Sequence, residues 1–199
     1  MAVRLVLASS SPRRADILRQ LGLDPEVVPA DVDETYLPAE SPMEHVERLA
    51  RHKATHVAQT ETDALVVGGD TVVVDRARVL GKPKNVDEAV EMLRGLAGRP
   101  HEVLSGLALA GVHGLVSGVA RTVVRFREFD DATARRYAET GEPMDKAGAY
   151  GIQGLGAALV EGLEGDYYSV VGFPVGVFSD LLGLAGWRYD FGRLTRLPD

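Results

Sequence analysis

Residues 64–75, ALVVGGDTVVVD, decide the fold. A run this dense in valine, apolar at adjacent as well as alternate positions, reads as a strand buried on both faces. Such a strand needs a layer of helix on each side, so the surrounding sequence should alternate strands with helices. Two glycines and an aspartate interrupt the run. An unpaired carboxylate there carries a large desolvation cost, so Asp70 must be paired, hold a metal, or emerge where the strand meets a cleft. An aspartate bonded to neighbouring backbone is the alternative. Gly68 and Gly69 let another group approach closely, and Thr71 sets a hydroxyl beside the carboxylate.

Outward from this strand the alternation appears on both sides. Upstream, Ser41, Pro42 and Glu44 have the form of a capping box, and the residues after them continue as an amphipathic helix with Lys53 in its second half. Before it lie an acid- and proline-rich loop, DVDETYLPAESP, and a short strand, EVVPA. The chain opens with a short buried strand, VRLVLA, a serine turn, and a helix that carries Ile17, Leu18 and Leu21 on one face. Downstream, residues 86–98 read as a helix stopped by Gly98 and Pro100. Two strands joined around VHG follow, expected to pair antiparallel. After them come a helix starting at DDATARR, a glycine-dense stretch read as short strands and turns, a last helix over VGVFSDLLGLAG, and a polar tail. With no repeat, low-complexity tract or linker, residues 1–199 read as a single domain. Its expected architecture is a mixed central β-sheet flanked by helices.

Composition narrows the function. The 199 residues are 45% hydrophobic and 26% charged, as in ordinary globular proteins. A net charge of −7 repels nucleic acid and anionic membranes, so any anion site must be local. With no cysteine there is no disulfide framework, thiolate nucleophile or cysteine-held metal. The first apolar stretch is too short for a signal peptide or a membrane span, and the expected location is the cytoplasm.

Against that acidic background, SSSPRRAD is conspicuous. Ser11 and Pro12 start a helix, so Arg13 and Arg14 fall in its first turn, where the macrodipole opposes a cation by roughly 0.3 to 1 kcal/mol. Either both are solvated, or this is an anion site built from helix N–H groups and two guanidiniums suited to phosphate oxygens. It lacks the glycines and the G-K-S/T ending of a Walker loop. Lys82, in GKPKN, is a loop lysine of either kind. Gln153, in YGIQG, has an amide left uncovered by glycines, able to donate and accept at once as reading a pyrimidine edge requires, or it is a turn glutamine. The aromatics of GDYYSVVGFPV, placed near these glycines, read as core packing in preference to base stacking.

Taken together, LASSSPRRADIL, DVDE, RLARHKA, GGDTVVV, GKPKN, LSGLAL, DKAGAYGIQG and YYSVVGFPV, in this order and at these spacings, resemble the Maf family of nucleoside triphosphate pyrophosphatases along nearly the whole chain. The AGAYGIQG stretch is similar to the branch acting on dTTP and UTP; the branch associated with 7-methyl-GTP departs there. The resemblance implies a mixed α/β sheet in two lobes with a nucleotide cleft between them, related to inosine triphosphate pyrophosphatases. It implies Asp70 as proton acceptor, Arg13, Thr71 and Gln153 as selectivity residues, and Ser9, Arg14, Glu34, Lys53 and Lys82 as polar residues lining the cleft. The reaction it implies is attack by water between the α and β phosphates. A divalent cation, Mg2+ with Mn2+ as a substitute, would be held with help from Glu34 and Asp70. The expected partner is a nucleoside triphosphate, with no nucleic acid and no membrane, and a homodimer is compatible with it. A nucleotide-binding regulator of septum formation, without significant turnover, is the alternative.

Overall fold

The computed structural model describes residues 3–198. Residues 64–75 form one unbroken strand, and its only half-buried interior positions are Asp70 and Thr71. In chain order the elements are β1 (Arg4–Ala8), α1 (Pro12–Gln20), β2 (Glu26–Val27), α2 (Pro42–Ala58), β3 (Ala64–Asp75), β4 (Arg78–Leu80), α3 (Val86–Leu96), β5 (Pro100–Gly111), β6 (Gly114–Phe126) and α4 (Asp131–Glu139). Three 3-10 turns follow, then β7 (Val160–Glu164), α5 (Tyr167–Val171), α6 (Val175–Leu184), β8 (Trp187–Tyr189) and β9 (Leu194–Arg196). A seven-stranded sheet runs in the order β2-β1-β3-β5-β6-β7, with β4 paired to β3 outside that path. It is mixed: β1 is parallel to β2 and β3, whereas β3–β4 and β6–β7 are antiparallel. Neighbours β5 and β6 are joined by two residues, a connection that only an antiparallel pair can make.

The chain forms two compact units, residues 1–70, 105–120 and 172–199 in the first, and residues 71–104 and 121–171 in the second. In the first, the register Val6↔Val66 and Ala8↔Gly68 lines up small side chains on one face of the sheet. There Val6, Ala8, Val66, Ala108 and Ala110 pack against Ala50, Ala54 and Val57 of α2. The capping box at Ser41 and Glu44 starts that helix, with Glu44 N–H donating to Ser41 Oγ at 3.2 Å and Ser41 N–H to Glu44 Oε2 at 2.9 Å. In the second unit α3 packs on α4, each capped by a side chain, Asn85 for α3 and Asp130 for α4. Phe126, His101 and Tyr150 form an edge-to-face aromatic cluster there.

Three expectations need correction. The glycine-dense stretch is three 3-10 turns, Glu142–Asp145, Ala147–Ala149 and Gly154–Leu159, before its one strand, β7. The polar tail is a hairpin, β8–β9, whose loop residues Phe191 and Gly192 both take positive φ, the geometry of a two-residue type I′ turn. The aromatics of residues 165–175 divide: Phe173 is buried in the core as expected, whereas Tyr167 is exposed and Tyr168 half-buried. No helix among the described residues is long and apolar enough to cross a membrane.

Candidate active site

Lys53 reaches Asp70 because α2 lies almost on the backbone of β3. A Cβ at Gly68 would collide with the Ala50 carbonyl and stand 2.6 Å from the Ala54 nitrogen, so only glycine permits this approach. One turn of α2 then crosses the strand, and Lys53 Nζ donates to Asp70 Oδ1 at 2.9 Å. The same ammonium lies 2.6 Å from Glu34 Oε1. Side-chain exposure is 8% for Lys53 and 13% for Asp70 but 59% for Glu34, so the pair on the helix and strand is enclosed while the loop carboxylate faces solvent. An ammonium this buried is tolerable only because two carboxylates converge on it.

The loop bearing Glu34 is tied down by a knot of side chains that sequence reasoning missed. Glu40, just before the helix cap, accepts Arg48 Nε on Oε1, at 2.5 Å, and Arg48 Nη2 on Oε2, at 2.9 Å. Its Oε2 also takes the Leu37 N–H and lies 2.9 Å from His45 Nδ1. Arg48 bonds the Thr35 carbonyl as well, and the Tyr36 ring stacks flat on His45 at 3.5 Å. Arg48, with His45 and the Leu37 N–H, holds the Glu40 carboxyl down at about 2, well below its ordinary value. Two residues of α2, one turn apart, thus anchor residues 35–40 and fix where Glu34 enters. The visible signal was His45 and Arg48 at helical spacing after an acid.

Arg14 is the buried member of the arginine pair, at 8% exposure, and Arg13 is half-buried, so neither is the solvated side chain of the simpler reading. Its Nε donates to the Gly172 carbonyl and its Nη1 to Ser9 Oγ, both at 2.9 Å, and Ser9 Oγ also accepts the Ser11 N–H. Burial lowers the Arg14 pKa, and the field of Asp70 opposes that. The guanidinium runs beside Gly69, next to the carboxylate. Ser11 caps α1 in extended conformation without a side-chain bond, so the helix N-terminus meets the arginines with no side-chain acceptor of its own. Ser9, Arg14, Glu34, Lys53 and Asp70 are therefore brought together in the first unit.

Thr71, Lys82 and Gln153 belong to the second unit. Thr71 follows Asp70 on β3 and is half-buried, whereas Lys82 and Gln153 are exposed. The Gly148 N–H donates to the Gly81 carbonyl at 3.1 Å, which ties the loop of Lys82 to the stretch leading to Gln153.

Among the described residues no three His, Asp or Glu side chains converge as a cation cage. Beside Lys53 the carboxylates are Glu34 and Asp70, both on its ammonium. Two carboxylates suit a hard, largely hydrated cation such as Mg2+ or Mn2+ that completes its shell with phosphate oxygens and water.

A family model described as Maf-like protein matches residues 4–184. A dTTP/UTP pyrophosphatase of Pelotomaculum thermopropionicum is 50% identical over 186 residues, 92% of this chain and 97% of the relative. One of Acetivibrio thermocellus is 49% identical over 189 residues, covering 90% and 94%, and one of Symbiobacterium thermophilum 51% over 172, covering 86% and 89%. A family match over nearly all of the chain, with relatives near half identity along most of their own length, settles the lineage: the chain belongs to the Maf family.

Proposed function

We propose that this chain is a nucleoside triphosphate pyrophosphatase that hydrolyses dTTP and UTP to the monophosphate and pyrophosphate. The observation that carries the reading is a pair of nearly buried cations, Lys53 and Arg14, set around Asp70 in a protein of net charge −7. Relatives that share half of its residues carry that activity in their names.

In this reading the α1 N-terminus, Arg13 and Arg14 receive the phosphate chain, with Ser9 holding the Arg14 fork in place. Lys53 holds Asp70 Oδ1 and so orients the carboxylate, leaving Oδ2 to take a proton from water. The water oxygen bonds to the α phosphorus as the bond to the bridging oxygen breaks, and pyrophosphate leaves. Lys53, Lys82 and the arginines offset the negative charge that develops. Glu34 and Asp70 would hold a divalent cation arriving with the triphosphate, which when bound draws charge from its oxygens. Gln153 reads the base edge, and Thr71 supplies a hydroxyl beside Asp70. Uracil and thymine present the same O2, N3–H and O4 to that amide, whereas cytosine turns two of these into mismatches.

The test is product analysis with Mg2+ and each of dTTP, UTP, CTP and GTP. Monophosphate with pyrophosphate from dTTP and UTP, at kcat/KM within roughly tenfold of each other, is expected. Orthophosphate as the first product, or preference for GTP, overturns the reading. Asp70→Asn should abolish turnover and keep nucleotide binding; turnover within tenfold of the parent removes Asp70 as the base.

A further inference from the structure

The GIQG stretch is held from behind by one carboxylate and one phenol. Glu142, on the 3-10 turn after α4, accepts the Leu155 N–H on Oε2 and the Gly156 N–H on Oε1, each at 2.9 Å. Tyr137, buried in the last turns of α4, donates its hydroxyl to Glu142 Oε1 at 2.9 Å and accepts the Gly151 N–H at 3.1 Å. Two side chains thus grip the backbone two residues before Gln153 and two and three residues after it. Gln153 itself is exposed and extended between those grips.

The fit leaves no slack. Gly154 has φ +73, and a Cβ there would stand 2.6 Å from Glu142 Oε2; a Cβ at Gly156 would stand 2.5 Å from Tyr137 Oη. These glycines let the carboxylate and the phenol lie directly under the loop. Burial pushes the Glu142 carboxyl up, but the N–H groups of Leu155 and Gly156, with Tyr137 and Lys146, outweigh it and hold it below its ordinary value. Glu142 is therefore ionised at neutral pH and purely an acceptor, as two converging N–H groups and a hydroxyl require.

We infer that Glu142 and Tyr137 are specificity-positioning residues, which fix the backbone on both sides of Gln153 so that its amide meets the base in a single orientation. The inference rests on the reading of Gln153 as the group that contacts the base. An amide that swivels can offer its oxygen or its nitrogen to the same base atom, and then uracil and cytosine are no longer told apart. Discrimination thus needs a rigid backbone as much as it needs the glutamine.

The experiment compares Glu142→Gln, Tyr137→Phe and Gln153→Ala with the parent, using UTP and CTP well below each variant's melting temperature. Gln at 142 keeps the shape but has one oxygen where two are needed, so one loop N–H loses its acceptor. The expected result is a fall of tenfold or more in the UTP:CTP ratio of kcat/KM for Glu142→Gln and Gln153→Ala, and of threefold or more for Tyr137→Phe. In Glu142→Gln, amide hydrogen exchange at Leu155 and Gly156 should speed up tenfold or more. A scaffold that merely holds the fold lowers both substrates alike and leaves the ratio unmoved. A ratio within twofold of the parent in Glu142→Gln and Tyr137→Phe, with Gln153→Ala collapsed, overturns the inference and leaves the base reading standing. An unmoved ratio in Gln153→Ala overturns the base reading, and the inference with it. Should Glu142→Gln fail to fold, Tyr137→Phe, which removes only a hydroxyl, decides alone.

Discussion

Acidification should weaken this protein through His101. The ring is 3% exposed on β5, edge-on to Phe126 and Tyr150, with Nε2 2.8 Å from the Tyr150 hydroxyl. Its Nδ1 is buried and has no hydrogen-bond partner, so a second proton would put an N–H and a charge where nothing receives them. Burial lowers the His101 pKa from 6.5 to about 4; Asp75 favours the cation and Arg99 opposes it, both more weakly. Between those two values the unfolded chain binds a proton that the native state refuses, so stability falls as pH falls and the loss is complete below about 4. The interval corresponds to about 3 kcal/mol in full, with about 2 kcal/mol of it lost between pH 7 and pH 5. Urea unfolding of the parent and His101→Gln at pH 7, 6 and 5 isolates this contribution, because groups common to both cancel in the difference. The parent should lose its advantage, or deepen its deficit, by about 2 kcal/mol over that range. A difference that changes by less than about 0.5 kcal/mol would mean that His101 takes up its proton in the folded state as readily as in the unfolded one.

Gly68→Ala should lower stability by roughly 1 to 3 kcal/mol, because the new methyl meets helix backbone and not a side chain that can turn away. It should also cut turnover by lifting Lys53 off Asp70; an unchanged melting temperature refutes the close-approach argument. Lys53→Met leaves Asp70 enclosed without its ammonium, at a cost of about 3 kcal/mol. Turnover should drop at least about 100-fold, and kcat/KM within threefold of the parent would remove Lys53 from the site. Glu40→Gln should raise KM by freeing the loop of Glu34. Since the folded-state pKa of Glu40 is about 2 against 4.5 in a free chain, its contribution to stability is full above 4.5 and lost as pH falls toward 2. The stability gap between parent and variant should therefore close over that window, and a gap constant down to pH 2 refutes the knot.

Strands and helices were legible where one physical signal dominates. The valine run of β3, the capping box of α2 and the serine–proline start of α1 each follow from local chemistry, and the structure places them as read. Residues 142–159 were not legible, because their conformation is set by bonds that reach across the loop. Glu142 gathers N–H groups thirteen and fourteen residues away, and glycine density alone cannot tell a 3-10 turn from a short strand. The tail was misread for a different reason. Trp187, Tyr189 and Leu194 carry the period of a hairpin, yet Phe191 at φ 40 occupies a turn position where glycine or asparagine is the usual sign.

The site shows the same division between what is local and what is not. Asp70 and Arg14 were visible because each breaks a local rule, a carboxylate in a buried strand and a cation at the positive end of a helix, whereas Lys53 was singled out only by the family resemblance and proves to be an ammonium on a buried helix face. Such violations persist only where something compensates them, and here they partly compensate one another. Lys53 takes Asp70, and the field of Asp70 supports the charge on Arg14. At the helix end Arg14 is also held by the Gly172 carbonyl and the Ser9 hydroxyl. A phosphate chain bound among these cations would add its binding free energy as stability, about 2.7 kcal/mol at a ligand concentration of one hundred times Kd. The residues that do the holding, Glu40, His45, Arg48, Tyr137 and Glu142, break no local rule. A glutamate beside an arginine or a tyrosine looks like any surface pair, and its role exists only through the loop it fixes.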